Sequence, residues 1–140
     1  MDELANVCRQ EQVSLLPYSP LGGGVLSGKY NLGEVPLNSR FADYRQSGET
    51  RQRAMADRFL NEGTLASTEH YLEIAGAAGL APVTLATAWS MQHAFVASTI
   101  IGARTAEQLE DSLAALDVTL DDEILRQCDA VHKKILYPMG

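Results

Sequence analysis

Leu16-Pro-Tyr-Ser-Pro-Leu-Gly-Gly-Gly-Val-Leu-Ser-Gly-Lys-Tyr30 is the most informative part of this sequence. An apolar run ends at an aromatic residue and a hydroxyl, three glycines follow, and Lys29 lies a few residues further on. This order is typical of a parallel strand that opens into an anion-binding loop, because glycines let backbone N–H groups approach a ligand and lysine adds a charge. A glycine-rich turn after a strand is also an ordinary structural turn, so the stretch alone leaves both interpretations open.

Another segment repeats the order of strand, glycine turn and helix. It reads Thr99-Ile-Ile-Gly-Ala-Arg-Thr-Ala-Glu-Gln-Leu-Glu-Asp-Ser-Leu113. Thr105 and Gln108 have the spacing of a capping box, which predicts a helix start, and the preceding β-branched residues favour a strand. We therefore predict parallel strands at 13–19 and 97–101 within an α/β architecture.

Helical patterns fill most of the remaining chain. They predict a helix over 2–10 and another over 50–61, the second with Met55, Phe59 and Leu60 facing inward. A further helix is predicted to be capped by Ser67 or Thr68 and to end near Gly79, and the next helix is predicted to start at Pro82. Leu109, Leu113 and Leu116 are predicted to form the buried stripe of the helix after Thr105. Asp121 is predicted to cap a last helix, with Cys128 and Val131 facing inward. Residues 31–49 are polar and predict a long loop.

The charge, the cysteines and the apolar runs of the sequence argue against several classes of partner and site. The formal net charge of −7 argues against nucleic acid as a partner, since phosphate-backbone binders usually carry a basic face. Cys8 and Cys128 lack metal-ligand spacing, and we predict no metal site and two buried free thiols in a reducing compartment. Met1-Asp-Glu is unlike the start of a signal peptide, and no apolar run has membrane-spanning length. We therefore expect no membrane partner and a cytoplasmic protein.

Taken together, the two glycine-turn segments resemble the aldo-keto reductases, which are NADP(H)-dependent carbonyl reductases built on a (β/α)8 barrel. The segment from Leu16 is similar to the family's seventh strand and the loop over the cofactor pyrophosphate. The segment from Thr99 is similar to its eighth strand and the loop and helix that hold the adenosine 2′-phosphate. The resemblance is strongest to the branch that includes bacterial general-stress reductases and potassium-channel β-subunits, and it covers nearly the whole chain.

The resemblance implies a set of cofactor-binding residues. Tyr18 takes the position that stacks on the nicotinamide ring, although a tyrosine at the mouth of a strand also has purely structural uses. Lys29 and Arg40 take the cationic positions beside the loop that folds across the cofactor, with a surface lysine as the alternative for Lys29. The pyrophosphate loop corresponds to Ser19, Pro20, Leu21, Gly22, Gly23 and Gly24, and the adenosine end to Gly102, Arg104, Gln108, Asp111 and Ser112.

Arg104 beside a helix N-terminus makes NADP(H) the expected cofactor over NAD(H), since the guanidinium fork and the helix dipole both favour a phosphate. The family commonly has Glu and then Asn where this chain has the shorter Asp111 and Ser112. We therefore expect weaker contacts to the adenine without loss of 2′-phosphate selection.

The family's catalytic Asp, Tyr, Lys and His have no match in this chain, so we assign no catalytic residue. A closed eight-stranded barrel needs about 250 residues, and residues 1–140 are expected to form a partial oxidoreductase domain with about two parallel strands and flanking helices. We interpret it as the C-terminal portion of a longer enzyme, a truncated gene product or a fragmentary gene model.

Two functional hypotheses follow. The chain is either the cofactor-binding part of a reductase acting on an aldehyde or ketone, or a non-catalytic nucleotide-binding or interaction module. A partial barrel has unpaired strand edges, so pairing with the missing barrel half or self-association is expected. The carbonyl substrate is not specified, because most of the loops that line such sites are absent.

Overall fold

The computed structural model describes residues 2–139 and is mainly helical. The helices predicted over 2–10 and 50–61, and from Pro82 onward, have bounds that agree with the sequence patterns to within a few residues. The α-helices are α1 (Asp2–Gln10), α2 (Arg40–Gln46), α3 (Thr50–Phe59), α4 (Glu62–Ala77), α5 (Pro82–Met91), α6 (Glu107–Leu113) and α7 (Asp122–Lys134). Two 3₁₀ segments, Gly22–Ser27 and Ala114–Asp117, complete the regular structure.

The two predicted strands meet in parallel but do not form continuous strands. Within residues 2–139 they are represented by two isolated parallel bridges, Leu15 with Val96 and Tyr18 with Ile100. The bridges are three residues apart on the first segment and four apart on the second, so the register shifts by one residue, as in a β-bulge. Pro17 lies between them and has no N–H to donate, and its carbonyl accepts from the Ile100 N–H at 2.8 Å.

A first hydrophobic core joins α4, α5 and α7. Gln92, just after α5, holds the segment before α7 by two hydrogen bonds, since its side chain donates to the Leu120 carbonyl (3.0 Å) and accepts from the Leu120 N–H (2.7 Å). The prediction that Asp121 caps α7 is confirmed by its bond from the Ile124 N–H at 2.8 Å. Cys128 and Val131 are buried as predicted, and Cys8 and Cys128 are buried free thiols. The buried residues of this core are Ile74, Ala75, Leu85, Ala88, Ala115, Leu120, Cys128 and Val131.

A second, smaller core lies under the glycine turn. It is formed by Val25, Tyr30, Phe41 and Ala56, with the Phe41 side chain 1% exposed. The Phe41 ring contacts the rings of Tyr30 and Phe59, with centroids 5.5 and 5.4 Å apart. This core connects α2 and α3 to the turn that carries the three glycines.

Two predicted boundaries are wrong. The loop at 31–49 contains α2, because Ser39 caps a short helix by accepting from the Ala42 N–H and Phe41 then enters the core. The helix expected to begin at Ser67 or Thr68 begins at Glu62 and is capped by Asn61. Ser67 and Thr68 are buried inside α4, where their hydroxyls donate to the Thr64 carbonyl instead.

Some predicted inward faces are also wrong. Leu113 and Leu116 are exposed, the latter by 67%, while Ser112 and Ala115 are buried. In α3, Ala56 is fully buried and Met55 lies at the surface. Leu113 and Leu116 fit an amphipathic pattern, yet both line an open groove beside Met91 and Val96 instead of being buried.

Among the described residues, no single helix has the length and apolar character to cross a bilayer, although α4 and α5 taken together, bent by 94°, meet both criteria.

Candidate functional site

A groove of about 630 Å³ lies between the glycine turn and the segment that leads into α6. Thirteen of the fourteen cofactor-binding residues predicted from sequence line this groove, and Gly22 is the exception. Residues 18–24 form one wall and residues 102–112 the facing wall, so segments that are about eighty positions apart in sequence meet at one site. The lining residues predicted from sequence are Tyr18, Ser19, Pro20, Leu21, Gly23, Gly24, Lys29, Arg40, Gly102, Arg104, Gln108, Asp111 and Ser112.

The glycine turn is tightly closed on itself. The N–H groups of Gly22 and Gly24 donate to the carbonyls of Ser19 (2.9 Å) and Leu21 (3.0 Å), and the Gly23 N–H donates to Ser19 Oγ (3.2 Å). The three amides expected to meet phosphate oxygens are therefore already paired within the turn. Side chains at the groove, rather than these amides, are left to bind an anion.

Each glycine of the turn has a positive φ and a close neighbour. A Cβ at Gly23 (φ +69°) would lie 2.7 Å from Phe41 Cζ, and one at Gly24 (φ +94°) would lie 3.0 Å from Lys29 Nζ. The run of glycines is thus required by the backbone conformation and by the protein's own side chains. The Lys29 ammonium therefore lies beside Gly24, and both residues line the groove.

Three cations line the groove, and they differ in what they contact. Lys29 and Arg40 form no ion pair with any residue of the described part of the chain. Arg104, in contrast, donates from Nη2 to Asp43 Oδ2 at 2.9 Å and from Nη1 to the Asn38 carbonyl at 3.2 Å. The hydrogen bond to Asp43 and its negative charge raise the pKa of Arg104, so this side chain stays charged.

These contacts connect two separate segments, since Asn38 and Asp43 belong to the segment that contains α2, whereas Arg104 precedes α6. The Gln108 side chain accepts from the Arg104 N–H at 3.0 Å, and the Gln108 N–H donates to Thr105 Oγ1 at 3.4 Å. The predicted capping box is therefore half formed, since the Gln108 carbonyl oxygen holds the backbone of Arg104 instead of that of Thr105.

The remaining predicted residues of the groove differ in exposure and contacts. Tyr18 is 81% exposed, so its ring is free to stack on a planar ligand. The backbone of Asp111 is fixed to α5, since its carbonyl accepts from Thr84 Oγ1 at 2.7 Å. Ser112 is buried beside it, which limits its reach into the groove.

Sequence reasoning missed several residues of the site. Asp43 and Asn38, which hold Arg104, and Phe41, which supports the turn, all fall in the stretch predicted as a loop. Ser39 before Arg-Phe-Ala-Asp is a recognisable helix-capping signal and would have revealed α2. Ser27, Pro82 and Val83 also line the groove.

Comparison with known proteins accounts for this arrangement. A sequence model described as "Aldo/keto reductase family" matches residues 1–133. The chain belongs to the aldo/keto reductase family. The fold of this family is the (β/α)8 barrel, and the parallel bridges between residues 15–18 and 96–100 agree with parallel pairing.

Several curated members of the aldo/keto reductase family are similar over most of this chain. Protein tas of Escherichia coli K12 is 39% identical over 96% of the chain and 36% of its own length. A probable voltage-gated potassium channel subunit beta of rice (Oryza sativa subsp. japonica) is 35% identical, over 85% of the chain and 35% of its own length. L-glyceraldehyde 3-phosphate reductase of E. coli O157:H7 is 32% identical, over 90% of the chain and 35% of its own length. The chain thus spans about a third of the length of these relatives.

The groove suits a nicotinamide dinucleotide, the kind of cofactor that aldo/keto reductases use. The exposed Tyr18 ring and three cationic side chains, Lys29, Arg40 and Arg104, line it, and side chains of these kinds suit a planar ring and phosphate groups. Among the described residues, no group of three His, Cys, Asp or Glu side chains that could hold a metal ion is found.

Proposed function

We propose that this chain is the C-terminal, cofactor-binding part of an NADP(H)-dependent aldo-keto reductase that reduces aldehydes or ketones. The observation that carries the proposal is the groove, which gathers Tyr18, the glycine turn and Arg104 around one site although they come from distant parts of the sequence. The family membership supplies the reaction class, namely carbonyl reduction.

The exposed apolar residues support the idea of a partial barrel. Leu16 and Ile100 lie on the two bridged segments, and Leu113 and Leu116 lie on α6 and the 3₁₀ segment after it. In a complete parallel barrel, both faces of each strand are covered and each strand has two neighbours. We infer that the rest of the barrel covers this side, and that it supplies the family's catalytic tetrad.

The bound cofactor would supply the hydride for carbonyl reduction. This chain's own residues would bind and orient it. Tyr18 stacks against the nicotinamide, and Lys29 and Arg40 neutralise the pyrophosphate. Arg104 receives the 2′-phosphate, which favours NADP(H) over NAD(H). The segment from Asn38 to Asp43 lies across the groove and would slow release of the cofactor.

Calorimetric titration of the 140-residue chain with NADPH and NADH tests the proposal. We expect one saturable site that prefers NADPH by about tenfold or more, and loss of that preference in Arg104→Ala. Arg126→Ala is a matched control, because Arg126 pairs with Glu123 on the exposed side of α7, away from the groove residues. A folded chain that binds neither nucleotide would contradict the proposal.

Carbonyl reduction itself is tested with the missing barrel half restored. A chimera in which this chain replaces the matching portion of L-glyceraldehyde 3-phosphate reductase should oxidise NADPH with aldehyde substrates, L-glyceraldehyde 3-phosphate among them. A chimera that folds and binds NADPH but oxidises none in the presence of any aldehyde or ketone would contradict the reductase assignment.

A second candidate function is a non-catalytic nucleotide-binding or interaction module. It is favoured by the exposed apolar side chains of Leu16, Leu113 and Leu116. The chimera separates the two candidates, since only the reductase proposal predicts NADPH oxidation with a carbonyl substrate when the missing barrel half is restored. A cytoplasmic location belongs to both candidates and is supported by the two buried free thiols.

A further inference from the structure

The last residues of the described chain return to the glycine turn. After α7, the backbone crosses the start of α4, where the Pro138 carbonyl accepts from Asn61 Nδ2 (2.7 Å) and from Thr64 Oγ1 (3.0 Å). Arg58 Nε donates to the next carbonyl, that of Met139. Asn61 is also the N-cap of α4, so the helix start and the tail are fixed by the same side chain.

This anchoring brings the Met139 side chain against Gly22. A Cβ at Gly22 would lie 2.7 Å from Met139 Cε and 3.2 Å from its sulfur, so the thioether lies on the bare backbone of the turn. Met139 also packs on the small core that contains Val25 and Phe41. Gly22, the predicted site residue that does not line the groove, therefore faces the tail.

The glycine turn depends on such outside contacts. Its three glycines have φ values of +55°, +69° and +94° and carry no side chains that would fix the turn from within. Two side chains from distant elements contact it, Phe41 at Gly23 and Met139 at Gly22. Gly23 and Gly24 line the groove whereas Phe41 and Met139 do not, so both side chains contact the turn without forming part of the groove.

We propose that Met139 is a positioning residue for the glycine turn, and that the tail from Ile135 to Met139 holds the turn in its ligand-facing conformation. The link to cofactor affinity rests on the proposed function. The positioning itself does not depend on a bound ligand. It requires that loss of the Met139 side chain increases local opening of the turn more than local opening of the rest of the molecule.

Amide hydrogen exchange measured by mass spectrometry tests this directly. In the 140-residue chain, Met139→Ala should raise the amide exchange rate by about tenfold or more in peptides covering 22–28, whose amides are paired in the turn. The exchange rate of amides in α5 should stay the same. Leu136→Ala is the matched control, because Leu136 lies in the same tail but is exposed. Met139→Leu, which keeps the volume, should restore slow exchange.

A second variant keeps the test independent of the methionine. Thr64→Val removes one donor to the Pro138 carbonyl and should produce the same local increase in exchange within 22–28. Unchanged exchange there in both Met139→Ala and Thr64→Val, or an equal rise throughout the chain, would overturn the inference.

Nucleotide titration of the same variants separates this inference from the proposed function. If Met139 positions the turn of a cofactor site, NADPH should bind several-fold more weakly to Met139→Ala than to Leu136→Ala. A wild-type chain that does not bind NADPH refutes the proposed function alone, whereas unchanged exchange in the turn refutes the positioning role alone.

Discussion

Asp43 Oδ2 accepts a 2.9 Å hydrogen bond from Arg104 Nη2, and this contact joins the segment that contains α2 to the segment that leads into α6. Both side chains are more than half exposed, so the pair contributes little to folding. Its importance is local, because Asp43 occupies part of the guanidinium that a 2′-phosphate would use. The arginine has five N–H donors, and those on Nη2 and Nη1 already contact Asp43 and Asn38.

Replacing Asp43 with Asn should strengthen the preference for the phosphorylated cofactor. The substitution removes a negative charge beside the proposed phosphate site and leaves Arg104 in place. We expect the ratio of NADH to NADPH dissociation constants to rise by roughly twofold to fivefold at low salt, and by less at high salt, as for exposed charge pairs. Titration with both nucleotides measures this. A lower ratio would mean that the pair assists phosphate binding.

Replacing Phe41 with Ala should destabilise the chain strongly. The ring is almost fully buried beneath the glycine turn, and its loss leaves a cavity that typically costs about 3–5 kcal/mol. Urea unfolding followed by the fluorescence of Trp89, the single tryptophan, measures the change in unfolding free energy. Leu37→Ala, in the same segment but highly exposed, should change stability by less than about 0.5 kcal/mol. Similar losses in both variants would contradict the packing described here.

Two glycine substitutions separate backbone strain from steric contact. Gly33 has φ +92° with no atom within 4 Å of an added Cβ, so Gly33→Ala should cost only the strain of a left-handed residue, about 1–2 kcal/mol. Gly23→Ala adds a clash with the buried Phe41 ring and should cost about 1–3 kcal/mol more. Urea unfolding of the two variants gives the difference. Equal costs would show that the turn has room for a side chain.

Stability should fall at alkaline pH. Burial raises the pKa of Tyr71 from 10.0 to about 12 and the pKa of the Cys128 thiol from 9.0 to about 11. As pH rises above about 9, the unfolded chain therefore loses these protons before the folded chain does, and the free energy of unfolding decreases until the folded pKa values are passed. Unfolding measured from pH 8 to 11 should show a smaller decrease in Cys128→Ala than in wild type. Equal slopes would exclude the thiol as a contributor.

Much of the site was predictable because its chemistry is local in sequence. The glycine run and the segment around Arg104 each carry a recognisable pattern, and parallel pairing of the segments before them brings the two patterns together. Asp43, Phe41 and Met139 were missed for another reason. Their roles depend on contacts between segments far apart in the chain, and the hydrophobic periodicity of a single segment does not predict such contacts.

The wrong inward faces have a common physical cause. Leu113 and Leu116 follow a helical apolar pattern, and such a pattern identifies a side to be buried without identifying what buries it. Both leucines line an open groove beside Met91 and Val96, and they remain exposed there. The strands are reduced to bridges for a related reason, because each described segment pairs only with the other and Pro17 interrupts the donors between them.

NADP(H) binding is tested most directly by a calorimetric comparison of NADPH and NADH binding to the 140-residue chain and to Arg104→Ala, with circular dichroism confirming that both are folded. We expect a single site in the wild-type chain that prefers NADPH by about tenfold or more, and a preference near unity in the variant. Equal binding of NADPH and NADH by the folded wild-type chain, or no binding of either, would contradict it.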